Sequence, residues 1–401
     1  MKSIVYRELE GKSPGFFAVV GVIGLFILAG LGAAFYMEYN GHYVTGMNQQ
    51  IVWGMPHTFA VFLIVAASGA LNIASIGSVF DVAVYKPLSR LSGLMALALL
   101  AGGLAVLVLD LGRPDRLIVA MTSYNFKSIF AWNVILYSGF FVIVAAYLWT
   151  MMSRDGKPYY KLAAFIAFLW RLTLTTGTGS IFGFLVSRQA YNSAIMAPEF
   201  IAMSFSFGLA FFLLVLVAMF KGAGRELGDV VVTRLQRLLA IFVAAVVYFV
   251  TVQHLTNMYS AGRIGVEQFI LRDGGAYTFL FWVVQIALGS IVPLVLLLLP
   301  VLRGHRKSLI LSSVLVLIGG IAQIFVIIVG GQAYPLVLFP GVEVSSSYFD
   351  GVVGSYAPSL PEIMLGLSGI AITLLLAVLA CTVLRFLPAT LSDAAVEADA
   401  H

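Results

Sequence analysis

Apolar residues form long runs along the chain, and polar residues are gathered in the stretches between them. A helix needs about 20 mostly apolar residues to cross the hydrocarbon core of a bilayer. Ten runs reach this length and are predicted as membrane-spanning helices one to ten: 16–37, 55–78, 90–110, 128–151, 161–186, 199–220, 235–257, 276–300, 308–330 and 363–386. The pattern therefore predicts an all-α integral membrane protein that forms a single transmembrane domain, 1–401.

Composition points the same way. Of the 401 residues, 61% are hydrophobic and 10% are charged, and the mean hydropathy is +1.01. A soluble domain carries roughly 25% charged residues, so most of this chain is expected to face lipid. The first apolar run is long and lacks a convincing small-residue cleavage site, which argues against a removable signal peptide.

The basic residues predict the orientation. Sixteen of the 23 Lys and Arg residues lie in the N-terminal segment, in every second loop and at Arg385, six lie in the other loops, and Arg171 lies within a span. Because positively charged loops stay on the cytoplasmic side, both termini are predicted there, with the chain in the plasma (inner) membrane. The acidic end, 387–401, is then a solvated cytoplasmic tail, and the long loop 331–362 covers the outer face or meets a partner.

Two short matches indicate an internal repeat. Gln-Ala-Tyr occurs at 189–191 and again at 332–334, an offset of 143, and Pro56-His57 matches Pro198-Glu199 at an offset of 142. These matches predict two related four-helix units, helices two to five (55–186) and six to nine (199–330), flanked by helices one and ten. The alternative is chance matching between apolar segments.

Several ionisable residues lie at the outer ends of the predicted helices. Burial of such groups in a membrane is costly, so each needs a reason. His57 begins helix two, Asp110 ends helix three, Glu199 begins helix six and His254 ends helix seven. Capping explains Glu199 well but Asp110 poorly, since a negative charge is disfavoured at a helix C-terminus. His57 and Asp110 are therefore the stronger functional candidates.

Helix five is the most polar span. Arg171 lies about 15 Å along it, near the midplane, and Thr173, Thr176 and Ser180 fall near one face. Together with Asn72 on helix two, these residues predict a proton path from the outer site toward the cytoplasm. The alternative is that the hydroxyls bond within their own helix and Arg171 pairs with a carbonyl.

The sequence excludes several kinds of site. A single cysteine, Cys381, excludes an internal disulfide, a cysteine-ligated iron–sulfur cluster and a structural zinc site, and no metal site or flavin is expected in the chain. His57 and His254 could in principle hold a haem, although one pair at helix ends is a weak signal. A quinone suits the chain better, since its ring needs an apolar slot and a proton-exchanging group near each oxygen. An ion-coupled secondary transporter using Arg171 and Asp110 remains the alternative.

Several motifs resemble the NrfD/PsrC family of quinone-reactive membrane subunits. They are Trp53-Gly-Met-Pro56 with Gly69, Asp110-Leu-Gly-Arg-Pro114, the segment 177–200, and, in the second half, Phe281-Trp282 to Pro293, Gly330-Gly-Gln332 and Tyr356 to Glu362. Within the family, the chain is most similar to the ten-helix branch that includes DsrP, the P subunit of DsrMKJOP complexes. Two departures are Gln253-His254, where relatives often have a glutamate, and Ala322-Gln323-Ile324, where an arginine is common.

The resemblance implies a function. It implies a menaquinone or other quinone bound near the outer face, a periplasmic ferredoxin-like iron–sulfur subunit docked there, and further membrane and cytochrome subunits of a DsrMKJOP-like complex in sulfur metabolism. The quinone-pocket position falls on His57 and the motif acid on Asp110, the two catalytic candidates. Trp53, Arg188 and Tyr191 are predicted to line the mouth, with Glu199 nearby. Electrons would leave through another subunit.

Overall fold

The structure, a computed structural model, describes residues 4–336 and 351–395. Within them, ten helices are long and apolar enough to cross a membrane: α1 Pro14–Asn40, α2 Met55–Ser78, α3 Ala83–Leu109, α4 Ile129–Met152, α5 Lys157–Phe184, α6 Met196–Gly222, α7 Asp229–Tyr259, α8 Ala276–Leu298, α9 Arg306–Ala333 and α10 Leu360–Val383. The predicted all-α membrane protein with ten spans is confirmed. The largest shift is in α3, which begins seven residues earlier than the prediction.

Several helices depart from regular α-geometry. Helix α2 is interrupted at Leu71, and α3 and α5 begin with 3₁₀ turns. Wider π-helical turns occur at Phe269–Asp273, at Leu280–Ile291 in α8 and at Val326–Gly330 in α9. The remaining short helices are His42–Val44, Pro114–Arg116, Leu117–Thr122, Ala261–Arg263, Ile264–Gln268 and Pro300–Leu302. Since π-turns often mark functional sites, their concentration in the second half of the chain favours a functional site there.

Helices α2 and α6 form the centre of the bundle. Their most apolar windows are 89% and 83% buried, against 17% for α1. Helix α2 packs on α3 and α5, and α6 packs on α7 and α9, while α2 and α6 also pack on each other. Helix α1 packs mainly on α10, which in turn packs on α3 and α2. The two four-helix units and the repeat that relates them stay predictions.

Glycines permit the close crossing of α2 and α6. A Cβ atom added to Gly69 would overlap the backbone oxygen of Ser204, and one added to Gly208 would overlap the backbone of Gly69 and Ala70. Small residues allow two membrane helices to approach until their backbones touch, which maximises van der Waals contact where no hydrophobic effect operates. The two central helices are therefore held at a distance that larger side chains would prevent.

The two ends of the chain meet at one face of the bundle, here called the terminal face. Strand β1, Tyr6–Arg7, pairs antiparallel with strand β2, Leu387–Pro388. Asp393 accepts a hydrogen bond from the backbone N–H of Val230 at 3.0 Å, near the start of α7. The predicted solvated tail, 387–401, is therefore contradicted for 387–393, which packs against the helix ends, and 396–401 lies outside the described residues.

The opposite end of the bundle is the distal face. His57, Asp110, Glu199 and His254 all lie near it, because α2 and α6 begin there and α3 and α7 end there. The described parts of the predicted loop, 331–336 and 351–362, also lie at this face, and 337–350 lie outside the described residues. The basic residues predict that the terminal face is cytoplasmic and the distal face is on the outside.

Candidate functional site

A histidine and an aspartate from different helices meet near the distal face. His57 Nδ1 lies 2.9 Å from Asp110 Oδ2, and the two side chains are 21% and 1% exposed. The two groups are not oriented to form a hydrogen bond with each other. Neither Asp110 oxygen accepts a hydrogen bond from the described residues. A buried carboxylate without donors is costly, so this pair has unused hydrogen-bonding capacity.

Aromatic rings form a wall beside the pair. The Trp53 ring stacks on the His57 ring with centroids 6.1 Å apart and planes 26° apart. Phe130 of α4 and Phe182 of α5 meet the Trp53 ring edge-on, at 6.0 Å and 6.1 Å. An apolar wall with a few polar groups at one end is typical of a site for a flat ring. The predicted neighbours Trp53, His57 and Asp110 therefore do come together.

The end of α9 fixes the position of Trp53. Gln332 Oε1 accepts from the backbone N–H groups of Val52 and Trp53 at 3.0 Å and 3.1 Å, and its Nε2 donates to the Trp53 carbonyl at 3.0 Å. Arg188 donates to the Gln332 carbonyl at 3.2 Å and to the Gln50 carbonyl at 2.7 Å. Gln332 is 2% exposed. This buried network joins the segment before α2 to the second half of the chain.

The sequence places Tyr191 at the mouth of the site, and that prediction is wrong. Its side chain is buried, and its hydroxyl donates to the Ile328 carbonyl at 2.8 Å. The ring packs against Gly331, where an added Cβ would lie 2.7 Å from it. Tyr191 is buried because its segment packs against the end of α9 at Ile328 and Gly331. It therefore supports the aromatic wall through Phe182, at 5.4 Å between ring centroids.

Replacing Gln332 tests this support. We expect Gln332→Ala to lower the free energy of unfolding by about 2 kcal/mol, because it leaves buried backbone N–H groups without an acceptor. Thermal unfolding of the purified chain measures the change. Gln49→Ala is the control, since Gln49 is exposed in the same loop. Equal unfolding temperatures for the two variants would contradict a structural role for Gln332.

A second pair below Trp53 was missed by the sequence analysis. Glu362, 0% exposed, accepts from the Tyr356 hydroxyl at 2.6 Å and from the backbone of Gly46 and Ser359 at 2.8 Å and 2.7 Å. The Tyr356 hydroxyl in turn accepts from Met55 N–H at 2.6 Å, at the start of α2. Burial, followed by this bond to Glu362, raises the pKa of Tyr356. The available signal was the capping box formed by Ser359 and Glu362.

Glu199 lies in a separate polar cluster in the second unit. Gln323 of α9 donates to Glu199 Oε1 at 3.1 Å. Gln253 of α7 also donates to this carboxylate when its amide nitrogen is placed toward it. Glu199 is 2% exposed and lines a cavity of about 30 Å³. The prediction that groups Glu199 with the His57 site is wrong, because Glu199 bonds to α7 and α9 instead.

The same cavity is bounded by a chain of polar groups that leads toward the distal surface. His254 Nδ1 lies 2.6 Å from Glu267 Oε2, and Asn257 donates to the other Glu267 oxygen at 2.7 Å. Arg263 donates to Asn257 Oδ1 at 2.8 Å. Glu267 is 2% exposed. This cluster contains two buried carboxylates, and Glu267 could not be found from hydropathy because it lies outside every apolar run.

The cluster around Glu199 and the His57–Asp110 pair are separated in sequence by the offsets of the predicted repeat. Gln253 follows Asp110 by 143 residues, the offset of the Gln-Ala-Tyr segments, and Glu199 follows His57 by 142. Under the predicted repeat, the Glu199–Gln253 pair between α6 and α7 would correspond to the His57–Asp110 pair between α2 and α3. His57 and His254 belong to different clusters, and no group of three metal-binding side chains occurs in residues 4–336 and 351–395.

The polar face of α5 differs from the prediction. Thr173 and Thr176 are exposed on the outer surface of the bundle, whereas Thr175 and Thr178 are buried. Thr175 donates to Ser68 of α2 at 2.5 Å. Residue 173 is turned about 200° around the helix from Arg171, whereas 175 and 178 share its side. A path through Thr173 and Thr176 is therefore wrong, while Ser180 is buried as such a path would require.

Arg171 and Asn72 are both buried in the first unit, at 3% and 2% exposure. The Arg171 guanidinium lies over Phe168 and Phe205, 5.1 Å from each ring centroid. Its Nε and Nη1, and the Asn72 amide nitrogen, have no hydrogen-bond partner among the described residues. Cation–π contacts stabilise this charge only partly.

Comparison with known proteins places this geometry in a family. The family described as "Polysulphide reductase, NrfD" matches residues 43–335. The chain is 28% identical to the Hdr-like menaquinol oxidoreductase integral membrane subunit of Archaeoglobus fulgidus, over 98% of this chain and 100% of the relative. It is 29% identical to a putative membrane subunit of dimethyl sulfoxide reductase from Halobacterium salinarum, over 92% and 90%.

A third relative extends the comparison. The chain is 25% identical to a polypeptide of the polysulfide reductase of Wolinella succinogenes, over 71% of this chain and 95% of the relative. The family match spans α2 to α9 and contains Trp53, His57 and Asp110. The integral membrane protein described here belongs to the polysulphide reductase NrfD family.

Proposed function

We propose that this chain is the quinone-reactive membrane subunit of a multi-subunit redox complex, with the quinol head group bound at His57 and Asp110. The observation that carries the proposal is the partly exposed His57 side chain 2.9 Å from the buried Asp110 carboxylate, with unused acceptors beside an aromatic wall. The relative from Archaeoglobus fulgidus, named as a menaquinol oxidoreductase subunit, supports a menaquinone-type ligand.

The residues fit a quinol. Its ring would lie against Trp53, and its hydroxyl groups would donate to the acceptors that the described residues leave without a hydrogen bond. A quinol, when bound, supplies two electrons and two protons. His57 accepts a proton on its imidazole, and the adjacent Asp110 carboxylate stabilises the resulting cation and holds the ring in position. The reverse reaction uses the same groups.

The electrons pass to another protein. The outward position of the pair near the distal face favours a periplasmic ferredoxin-like iron–sulfur subunit as the acceptor, with further membrane and cytochrome subunits in a DsrMKJOP-like complex of sulfur metabolism. The names of the relatives, which are parts of reductases, support such an assembly. Positive loops at the terminal face support a plasma-membrane location with both termini in the cytoplasm.

The cluster that contains Glu199, His254 and Glu267 is a better candidate for proton translocation than the predicted path along α5. Glu199 and Glu267 are buried carboxylates that border one small cavity with His254 and four amide side chains. Such intramembrane groups can take up and release protons. Asn72, Arg171 and Ser180 are buried polar groups in the other unit, and Arg171 is charged rather than proton-exchanging in ordinary conditions.

Glu199→Gln tests this assignment. We expect proton release by proteoliposomes of the complete complex to fall to the passive leak, because the amide cannot exchange a proton, while quinol oxidation continues. A pH-sensitive dye inside the vesicles gives the measurement. Glu226→Gln is the control, since Glu226 is exposed at the terminal face. Normal proton movement in Glu199→Gln would remove this carboxylate from the path.

Binding of a menaquinol analogue tests the proposed function directly. We expect His57→Gln to weaken binding to the purified chain about tenfold, equivalent to about 1.4 kcal/mol and the loss of one hydrogen bond. His305→Gln is the control, because His305 lies at the terminal end of α9. Unchanged affinity would remove His57 from the site. Substrate uptake by liposomes that contain this chain alone would favour the transporter alternative.

A further inference from the structure

A groove follows the side of α6 between α1 and α9. Its inner part is a cavity of about 400 Å³ whose lining residues are all apolar. Representative residues are Ile23 of α1, Phe211 and Leu214 of α6, Ile321 of α9 and Leu374 of α10. The groove shares no lining residue with the His57 site or with the cavity beside Glu199.

The groove opens to the terminal face through a wider mouth. The outer cavity has a volume of about 1080 Å³ and shares Val19, Ala218, Met219 and Val378 with the inner one, so the two are continuous. Along α6 the lining extends from Phe211 to Ala223. At 1.5 Å per residue this is about 18 Å, long enough for most of one acyl chain.

The separation of α1 from the bundle creates this space. Helix α1 is the least buried of the ten, with 17% of its window buried, and it packs mainly on α10. Ala218 of α6 is exposed into the groove instead of being covered by a neighbouring helix. An apolar channel that ends at an interface is the shape expected for a lipid tail.

The mouth carries an excess of positive charge. Arg7, Arg225 and Arg385 line it with Glu8 and Glu10, which leaves one net positive charge. Arg385 pairs with Glu8 at 2.8 Å, and this bond lowers the pKa of Glu8. Arg225 donates to the Glu8 carbonyl at 2.6 Å and to the Pro388 carbonyl at 3.1 Å, and so keeps its charge at the mouth.

Arg7 supplies the available cation. It lies in β1, is exposed, and has no ion pair among residues 4–336 and 351–395. Basic pockets between membrane helices on the cytoplasmic side bind anionic lipid head groups. The apolar slot therefore matches the acyl chain of a phospholipid, and the unpaired Arg7 matches its phosphate.

We propose that the groove binds one anionic phospholipid, with an acyl chain along α6 and the phosphate at Arg7. The bound lipid fills the space between α1 and the bundle and joins the N-terminal segment to β2. The site is independent of the quinone site, since the two share no residue.

Native mass spectrometry of the full chain tests this proposal. After delipidation, phosphatidylglycerol or phosphatidylcholine is added back, and we expect one phosphatidylglycerol retained in preference to phosphatidylcholine. Arg7→Gln should weaken that retention about fivefold, since one cation contributes about 1 kcal/mol. Arg116→Gln, an exposed arginine at the distal face, is the control.

A second arm of the experiment fills the groove with a large side chain. Ala218→Trp should abolish retention of the lipid, whereas Ala146→Trp, at an exposed position on α4, should not. Equal retention of the two lipids, or no effect of Ala218→Trp in a chain that still unfolds cooperatively, would overturn the proposal. A photoreactive residue at position 218 in the intact complex should label lipid. Labelling of another protein would show that a partner helix fills the groove instead.

Discussion

Asp110→Asn is expected to slow quinol-dependent electron transfer by the complete complex by about 10²–10⁴-fold, the usual contribution of a positioned proton-transfer group. The amide is nearly the same size as the carboxylate, so the packing around this buried side chain is kept. What is lost is the negative charge 2.9 Å from His57 Nδ1, which stabilises the imidazole after it takes up a proton. Steady-state quinol oxidation at saturating acceptor measures the change.

A matched variant separates this effect from general damage. Asp115→Asn alters an exposed aspartate in the loop that follows Asp110, where it pairs only with Arg113 at the surface. It should leave turnover unchanged. Because His57 and Asp110 act as a unit, the double variant His57→Gln/Asp110→Asn should be about as slow as the slower single variant. Fully multiplicative losses would show that the two residues act separately.

Gly69→Leu is expected to destabilise the chain by about 3 kcal/mol or more, at the upper end of the range for overpacking. Even the first carbon of a new side chain at this position would overlap the Ser204 backbone, and a backbone cannot move aside as a flexible side chain can. The α2–α6 crossing would separate, and Trp53 and His57 at the start of α2 would move with it. Thermal unfolding in detergent measures the loss.

The control for this substitution lies on α1. Gly24 has nothing within 4 Å of an added Cβ, so Gly24→Leu places the same side chain at a position that faces open space. It should unfold at the temperature of the unaltered chain. If Gly69→Leu proved as stable as Gly24→Leu, the close crossing of α2 and α6 would not be needed for the fold.

Sequence resemblance and polar position together identified part of the site. His57 and Asp110 were predicted because ionisable groups are costly in a membrane and because both lie in recognisable motifs. Tyr191, Arg188 and Glu199 were assigned to the same mouth, and the structure gives two of them other neighbours. For these residues the sequence supplied a position near one face and membership of the family-like segment 177–200. Neither identifies the residue that each side chain contacts, and several separate clusters lie at that face.

The sequence by itself determined the number, order and approximate bounds of the ten spans and their predicted orientation. The length of each apolar run and the charge of each loop decide whether and in which direction a segment crosses the bilayer, and neither depends on tertiary contacts. The family resemblance, carried by local motifs, was likewise available and is confirmed.

Only the tertiary structure decided which side of each helix faces the interior. In a soluble helix, polarity distinguishes the buried face from the exposed one. Here lipid and protein core are both apolar, so the two faces of a membrane helix have similar residue composition. The sequence therefore favoured Thr173 and Thr176 for the path, and the packing of α5 buries Thr175 and Thr178 instead. The partners of Glu267, Glu362 and Gln332 were hidden for a related reason, since each is joined to residues from another helix or loop.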